Sequence, residues 1–70
     1  MAYPIYGRTG RYLGNRDTRE VHDLRNERPN CQIDEILRAG NAVAFIPDTQ
    51  AQARGEGYDN CHYCLAESAR

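Results

Sequence analysis

Five residues able to ligate soft metal ions punctuate this chain: His22, Cys31, and the Cys61-His62-Tyr63-Cys64 run near its end. Two thiols three positions apart can both reach one tetrahedral ion at ~2.3 Å, and N–H groups of the turn between them can donate to the sulfurs. A redox dithiol has the same spacing but needs a βαβ framework, for which this chain is too short. Haem attachment needs a histidine where Leu65 stands. Three thiolates leave one position in a four-ligand site. His62 lies inside the Cys turn, where a side chain normally points away from the metal, so His22 is the preferred fourth ligand and His62 the alternative. The expected cofactor is one Zn2+ held by His22, Cys31, Cys61 and Cys64.

Size makes such a staple necessary. A chain of 70 residues forms one domain and buries only ~60% of its unfolded surface, so its core is marginal without a metal, a disulfide or a partner. Three cysteines cannot all pair within one chain, which favours metal over a disulfide framework. No apolar run approaches the ~18 residues of a membrane span, and the first residues lack the pattern of a signal peptide, so the expected location is the cytoplasm. The net charge is -1, and every basic residue is Arg. Residues 1–30 hold six Arg against four acids, and residues 31–70 three Arg against six acids. That is no polyanion-binding profile overall.

The elements that must position these ligands read as a small α+β domain over residues 1–70, with a core at about 12–65, a hairpin or arm at 1–11 and a frayed tail at 66–70. Apolar and aromatic residues flank Gly7-Arg8-Thr9-Gly10, predicting an N-terminal hairpin over 3–14 with Pro4 at an edge. Basic Gly-x-x-Gly loops also grip nucleic acid in KH domains, but the helices that flank such loops are missing here. Arg19 to His22 forms a short strand delivering His22, and Asp23 to Asn30 a charged loop. A helix is expected over Cys31–Ala39, capped by Asn30, with Ile33, Ile36 and Leu37 on one face and Gly40 as its stop. Ala42 to Ile46 is a buried central strand. Asp48 caps a second helix to about Arg54, Tyr58 packs inward, and a last short helix covers 64–69.

The order Tyr12-Leu13-Gly14-Asn15, Val21-His22, Cys31, Asn41-Ala42-Val43-Ala44-Phe45, Ala53, Gly57-Tyr58 and Cys61-His62-Tyr63-Cys64 resembles the Ada-type metal-binding domain. That domain opens bacterial DNA-alkylation-repair regulators and recurs as a small zinc module elsewhere. The resemblance implies a compact α+β zinc domain with ligands at His22, Cys31, Cys61 and Cys64. Here eight residues separate His22 from Cys31, more than is usual in the family. His22 also stands where repair members carry their methyl-accepting thiolate. The resemblance therefore implies one of the His/Cys variants without suicidal methyl transfer. A Cys3His centre is also less negative than a four-thiolate one, and its sulfurs are less driven toward alkylation.

These readings point to a small non-enzymatic module, monomeric and bacterial in type, whose structural zinc site supports a surface for nucleic acid or for another protein. Arg8, Arg11, Arg16 and Arg19 with Tyr6 and Tyr12 form the one segment where cations and aromatics interleave, the chemistry of phosphate contact and base stacking. A protein–protein adaptor fits the charge balance equally well. An enzyme would need an open coordination position, with Glu20, Asp23 or Asp59 as base, and no spacing in the chain supports that specifically. A thiol redox or zinc-delivery role rests on Cys61 and Cys64 alone. No membrane contact or small-molecule substrate is evident.

Overall fold

A computed structural model describes residues 1–65 of the chain. The strands are β1 (Ala2–Pro4), β2 (Tyr12–Asn15), β3 (Glu20–Asp23), β4 (Ala42–Phe45) and β5 (Asp59–Asn60), and the helices are α1 (Ile33–Arg38) and α2 (Gln50–Gly55). The strands join in one sheet of order β1-β4-β2-β3-β5, antiparallel except for the parallel β3–β5 pair. The architecture is the expected small α+β one, with β2 in the middle of the sheet and the apolar strand beside it, β4, buried at all four residues.

The hairpin forms one element later than its glycines suggested. β2 turns into β3 across residues 16–19, where Asn15 Oδ1 accepts from the Asp17 N–H at 2.9 Å, the Asn15 carbonyl accepts from the Arg19 N–H at 2.8 Å, and Arg19 takes a left-handed φ of 60°. Arg19 thus belongs to the turn rather than the strand. β1 pairs instead with β4, Tyr3 opposite Ala44, so the wholly buried β4 is covered along both edges and Pro4 stands on an edge strand, where its missing N–H costs no ladder bond. The loop after β1 is tied down by Asp48, whose carboxylate accepts from the Arg11 and Tyr12 N–H groups at 2.7 and 3.0 Å. Because Asp48 is so engaged, Thr49 caps α2 in its place, accepting from the Gln52 N–H at 3.1 Å.

The first helix is also shorter than its sequence pattern. Residues two apart in a helix lie on roughly opposite sides, yet Cys31 and Ile33 are both buried. The chain meets both demands by breaking at Gln32, which is left-handed (φ 54°, ψ 45°): Pro29–Cys31 forms a 3-10 turn, and α1 begins afterwards without a side-chain cap. Asn30 lies inside that turn and caps nothing, and the preceding "loop" contains another 3-10 turn, Leu24–Asn26, capped by Asp23. Gly40, at a φ of 75°, ends α1 as expected: its N–H reaches the Leu37 carbonyl and the Asn41 N–H reaches that of Ile36, a Schellman closure that feeds β4. The same pair of bonds from Gly57 and Tyr58 to Arg54 and Ala53 ends α2 and turns Tyr58 inward. Cys64 and Leu65 lie in a turn and bend, and the rest of the helix expected over 64–69, with the tail, lies outside the described residues.

Register divides the sheet into two faces. Gly14 lies opposite Val21 and Val43, whereas Leu13 lies opposite His22. On the Gly14 face, Phe45 and Tyr58 meet edge to face at 5.1 Å, and a Cβ at Gly14 would stand 2.7 Å from the Phe45 ring and 2.8 Å from Val43 Cγ2. Both obstacles are packed core atoms. Gly14→Ala is therefore expected to destabilise the metal-loaded protein by about 1–3 kcal/mol in chemical denaturation. Gly7→Ala, where a Cβ meets nothing, should stay within about 0.5 kcal/mol of the parent.

Candidate metal centre

The other face carries the ligand set. His22 sits on β3, and the parallel pairing of Val21 with Asn60 places the next residue of each strand, His22 and Cys61, side by side, fixed by the Cys61 N–H donating to the Val21 carbonyl at 2.9 Å. Cys31 arrives at the end of its 3-10 turn. Cys64 closes the knuckle, which is held by the Leu65 N–H on the Cys61 carbonyl at 3.0 Å and by Asn26 Nδ2 on the Cys64 carbonyl at 2.9 Å.

His22, Cys31, Cys61 and Cys64 are all buried, and their ligand atoms all lie within 4.8 Å of one another. Cys31 Sγ is 3.7 Å from Cys61 Sγ, and Cys64 Sγ is 3.9 Å from His22 Nδ1. Sulfurs bound to one tetrahedral ion at ~2.3 Å stand about 3.7–3.8 Å apart, so these separations suit four donors around one centre and are far too long for a disulfide, ~2.05 Å. The cluster could hold a metal ion. Backbone donors already point at the sulfurs: Asp23 N–H to Cys64 Sγ at 3.3 Å and Tyr63 N–H to Cys61 Sγ at 3.4 Å, an arrangement that favours thiolate ligands.

Burial acts on the same groups in the opposite sense. It pushes the Cys31 and Cys64 thiols above the ordinary cysteine range and the His22 imidazole below its usual value. The protein alone therefore holds these groups neutral, and a cation that binds must displace thiol protons, so its affinity rises with pH. His62 stays outside the cluster, exposed and packed edge-on against Tyr63 at 6.1 Å.

Over the cluster opens a cleft of about 360 Å³ between the β2–β3 turn on one side and the Pro29–Cys31 turn with α1 on the other. His22, Cys31 and Cys61 form part of its wall, together with Asp17, Glu20, Gln32, Glu35 and Tyr63. No Arg lines it.

The basic residues singled out from the sequence do not gather into one open row. Arg8 is forked onto Glu27 at 3.0 and 2.8 Å and reaches Asp34 at 2.9 Å, which raises the guanidinium pKa and holds the Glu27 carboxyl below its usual range. The Glu27 contact therefore contributes stability above the ordinary carboxylate pKa and loses it as pH falls through the lowered value. Arg11 is forked onto Asp23 at 3.2 and 3.1 Å and stacks over the buried Tyr12. Arg16 donates to the Gly40 carbonyl, and Arg19 lies over the Tyr58 ring at 5.2 Å. Of the two tyrosines, only Tyr6 is exposed.

Three supporting roles escaped the sequence reading. Asp23, weighed there only as a base, caps the 3-10 turn at Arg25, pairs with Arg11 and gives its N–H to Cys64. Asp48 and Asn26 likewise act at long range, and nothing local in the sequence marks such roles. What the fold and the cluster define is a small α+β domain with a Cys3His group able to bind metal. Compared with known proteins, the chain matches no family model, no curated protein and no solved structure.

Replacing His22 by Ala should weaken metal binding by more than the 10–100-fold typical of losing an outer-shell partner. His62→Ala should leave it unchanged. Competition titration of Co2+ against a chelator reads both, and the reverse order would hand the fourth position to His62.

Proposed function

We propose that the chain is a structural zinc module: one Zn2+ bound by His22, Cys31, Cys61 and Cys64, no catalysis, and a surface that the centre holds in shape for a partner. The observation that carries this reading is the gathering of four buried donor atoms, on β3, the Pro29–Cys31 turn and the Cys61–Cys64 knuckle, into one group. Sulfur and imidazole donors in a four-membered set suit zinc above magnesium or calcium, which take oxygen, and four protein ligands leave no coordination position for substrate. The order of segments in the sequence that resembles the Ada-type domain is what supports reading the chain beside its His/Cys variants. With an imidazole at the acceptor position, methyl transfer is no part of the activity.

The partner this surface favours is a protein. Arg8, Arg11, Arg16 and Arg19 are each engaged within the chain, and a phosphate backbone would have to compete with Glu27, Asp34 and Asp23 for the first two. Arg11→Ala would also remove the cation beside the buried Asp23 carboxylate, so it should lower stability whether or not nucleic acid is bound.

Metal analysis should find one zinc per chain, and the cobalt-substituted protein should show charge-transfer absorption of a three-sulfur site. Because structural zinc contributes on the order of 10 kcal/mol in small domains, chelation should collapse the dispersed amide spectrum. A two-sulfur spectrum or a well-dispersed spectrum after chelation would sink the structural assignment. Titration with labelled single- and double-stranded DNA should give no saturable binding at physiological salt. Binding lost in an Arg8→Ala/Arg16→Ala variant would restore the nucleic-acid reading.

A further inference from the structure

The inference rests on the zinc reading and concerns the cleft above the centre. Imidazoles that ligate a metal through one nitrogen nearly always donate the other N–H to a carboxylate, a carbonyl or water. In His22, Nδ1 is the nitrogen facing Cys64 Sγ, at 3.9 Å, while Nε2 is buried and has no hydrogen-bond partner among the described residues. His22 is only 3% exposed and forms part of the cleft wall. Among the described residues nothing supplies the acceptor that Nε2–H requires, and the ring that carries it belongs to the cleft wall.

The cleft's charge is as one-sided as that donor is lonely. Asp17, Glu20 and Glu35 line it, and among the described residues only Glu35 has an ion-pair partner, Arg38. Three thiolates outweigh a divalent ion, so the loaded centre at the floor adds about one further negative charge. Low-dielectric walls of a single sign focus their field on whatever enters. At the rim Tyr63, 54% exposed, offers an aromatic face, the surface on which guanidinium and ammonium groups stack.

We propose that this cleft is a recognition site for a peptide segment of a protein partner, which places an Arg or Lys side chain against Asp17, Glu20 and Tyr63 and a backbone carbonyl on His22 Nε2–H. A cation alone meets the first requirement and leaves the buried donor unanswered. A neutral peptide does the reverse. At about 360 Å³ the cleft has room for one such side chain with its flanking peptide groups, at the lower end of the 300–1,000 Å³ range of small-ligand sites.

The test uses the zinc-loaded chain, 15N-labelled, with zinc content measured on the same sample. Acetyl-Gly-Arg-Gly-amide is titrated beside its citrulline analogue, which keeps shape and carbonyls without the charge, and beside agmatine, a guanidinium without peptide groups. The arginine peptide should shift the amides of Asp17, Glu20, Gln32 and Tyr63 and the His22 side-chain N–H resonance saturably. The citrulline peptide, agmatine, and the arginine peptide on Glu20→Gln or Asp17→Asn protein should each bind at least about fivefold more weakly, the size of one lost hydrogen bond or screened charge contact. No saturable shift on a sample holding one zinc overturns this inference and leaves the metal reading standing, whereas absence of zinc removes both. Citrulline binding equal to arginine overturns the cationic assignment, and agmatine binding equal to the peptide overturns the peptide in favour of a free amine.

Discussion

The short parallel pairing between β3 and the segment 59–61 is the constraint on which the rest depends. Backbone bonds at its two ends fix it, Asp59 N–H to the Arg19 carbonyl at 2.8 Å and Cys61 N–H to the Val21 carbonyl at 2.9 Å. They set His22 beside Cys61, and with Cys61 placed, the knuckle brings Cys64 under the Asp23 N–H. A parallel pair needs a long crossover between its strands, and here that crossover is most of the domain: α1, β4 and α2 all lie between β3 and β5. So short a pair could not hold by its own ladder, because an isolated strand pair is marginal in water even when longer. Packing of Tyr58 against Phe45 supports β5 on one side, and the four donors gathered on the other are placed to hold it through a shared metal ion.

Much of this was legible in the residues. A short apolar run marked β4, the segment ending in His22 marked most of β3, Gly40 marked the end of α1, and the ligand types named the four residues that the fold brings together. Local chemistry misled where long-range partners took over a residue. Asp48 carries all the credentials of an N-cap and spends its carboxylate on Arg11 and Tyr12, 36 or 37 positions away. Asn30 has the same credentials, and the need to bury both Cys31 and Ile33 breaks the helix beyond it. Gly7 and Gly10 looked like the tip of a hairpin, yet β2 was already committed to β3 and β4. β5 consists of Asp59 and Asn60 alone, two residues of low strand propensity, and carries no pattern to find.

Charge is organised with equal economy. The N-terminal half is rich in Arg, but Glu27, Asp34 and Asp23 hold Arg8 and Arg11 against the body of the domain. Arg8 and Arg11, two of the interleaved cations that suggest a polyanion surface in the sequence, thus serve in the fold as ties from the loop before β2 to α1, the end of β3 and the segment between them. The acids of the opposite rim, Asp17 and Glu20, have no such partners among the described residues, and the electrostatic character of the molecule is set there.

The sequence distance spanned by the centre has a consequence for biosynthesis. His22 and Cys64 are 42 positions apart, and the two ligands that arrive first, His22 and Cys31, lie on segments whose partners β4, α2 and β5 are still to be made. Synthesis runs from the N-terminus at about 5–20 residues per second, so the closing cysteines leave the ribosome seconds after the first two, having first crossed its exit tunnel. Throughout that interval the nascent chain holds an incomplete ligand set and an uncovered β4. The donor cluster, and the β3–β5 pairing that aligns it, can therefore close only after translation has passed Cys64.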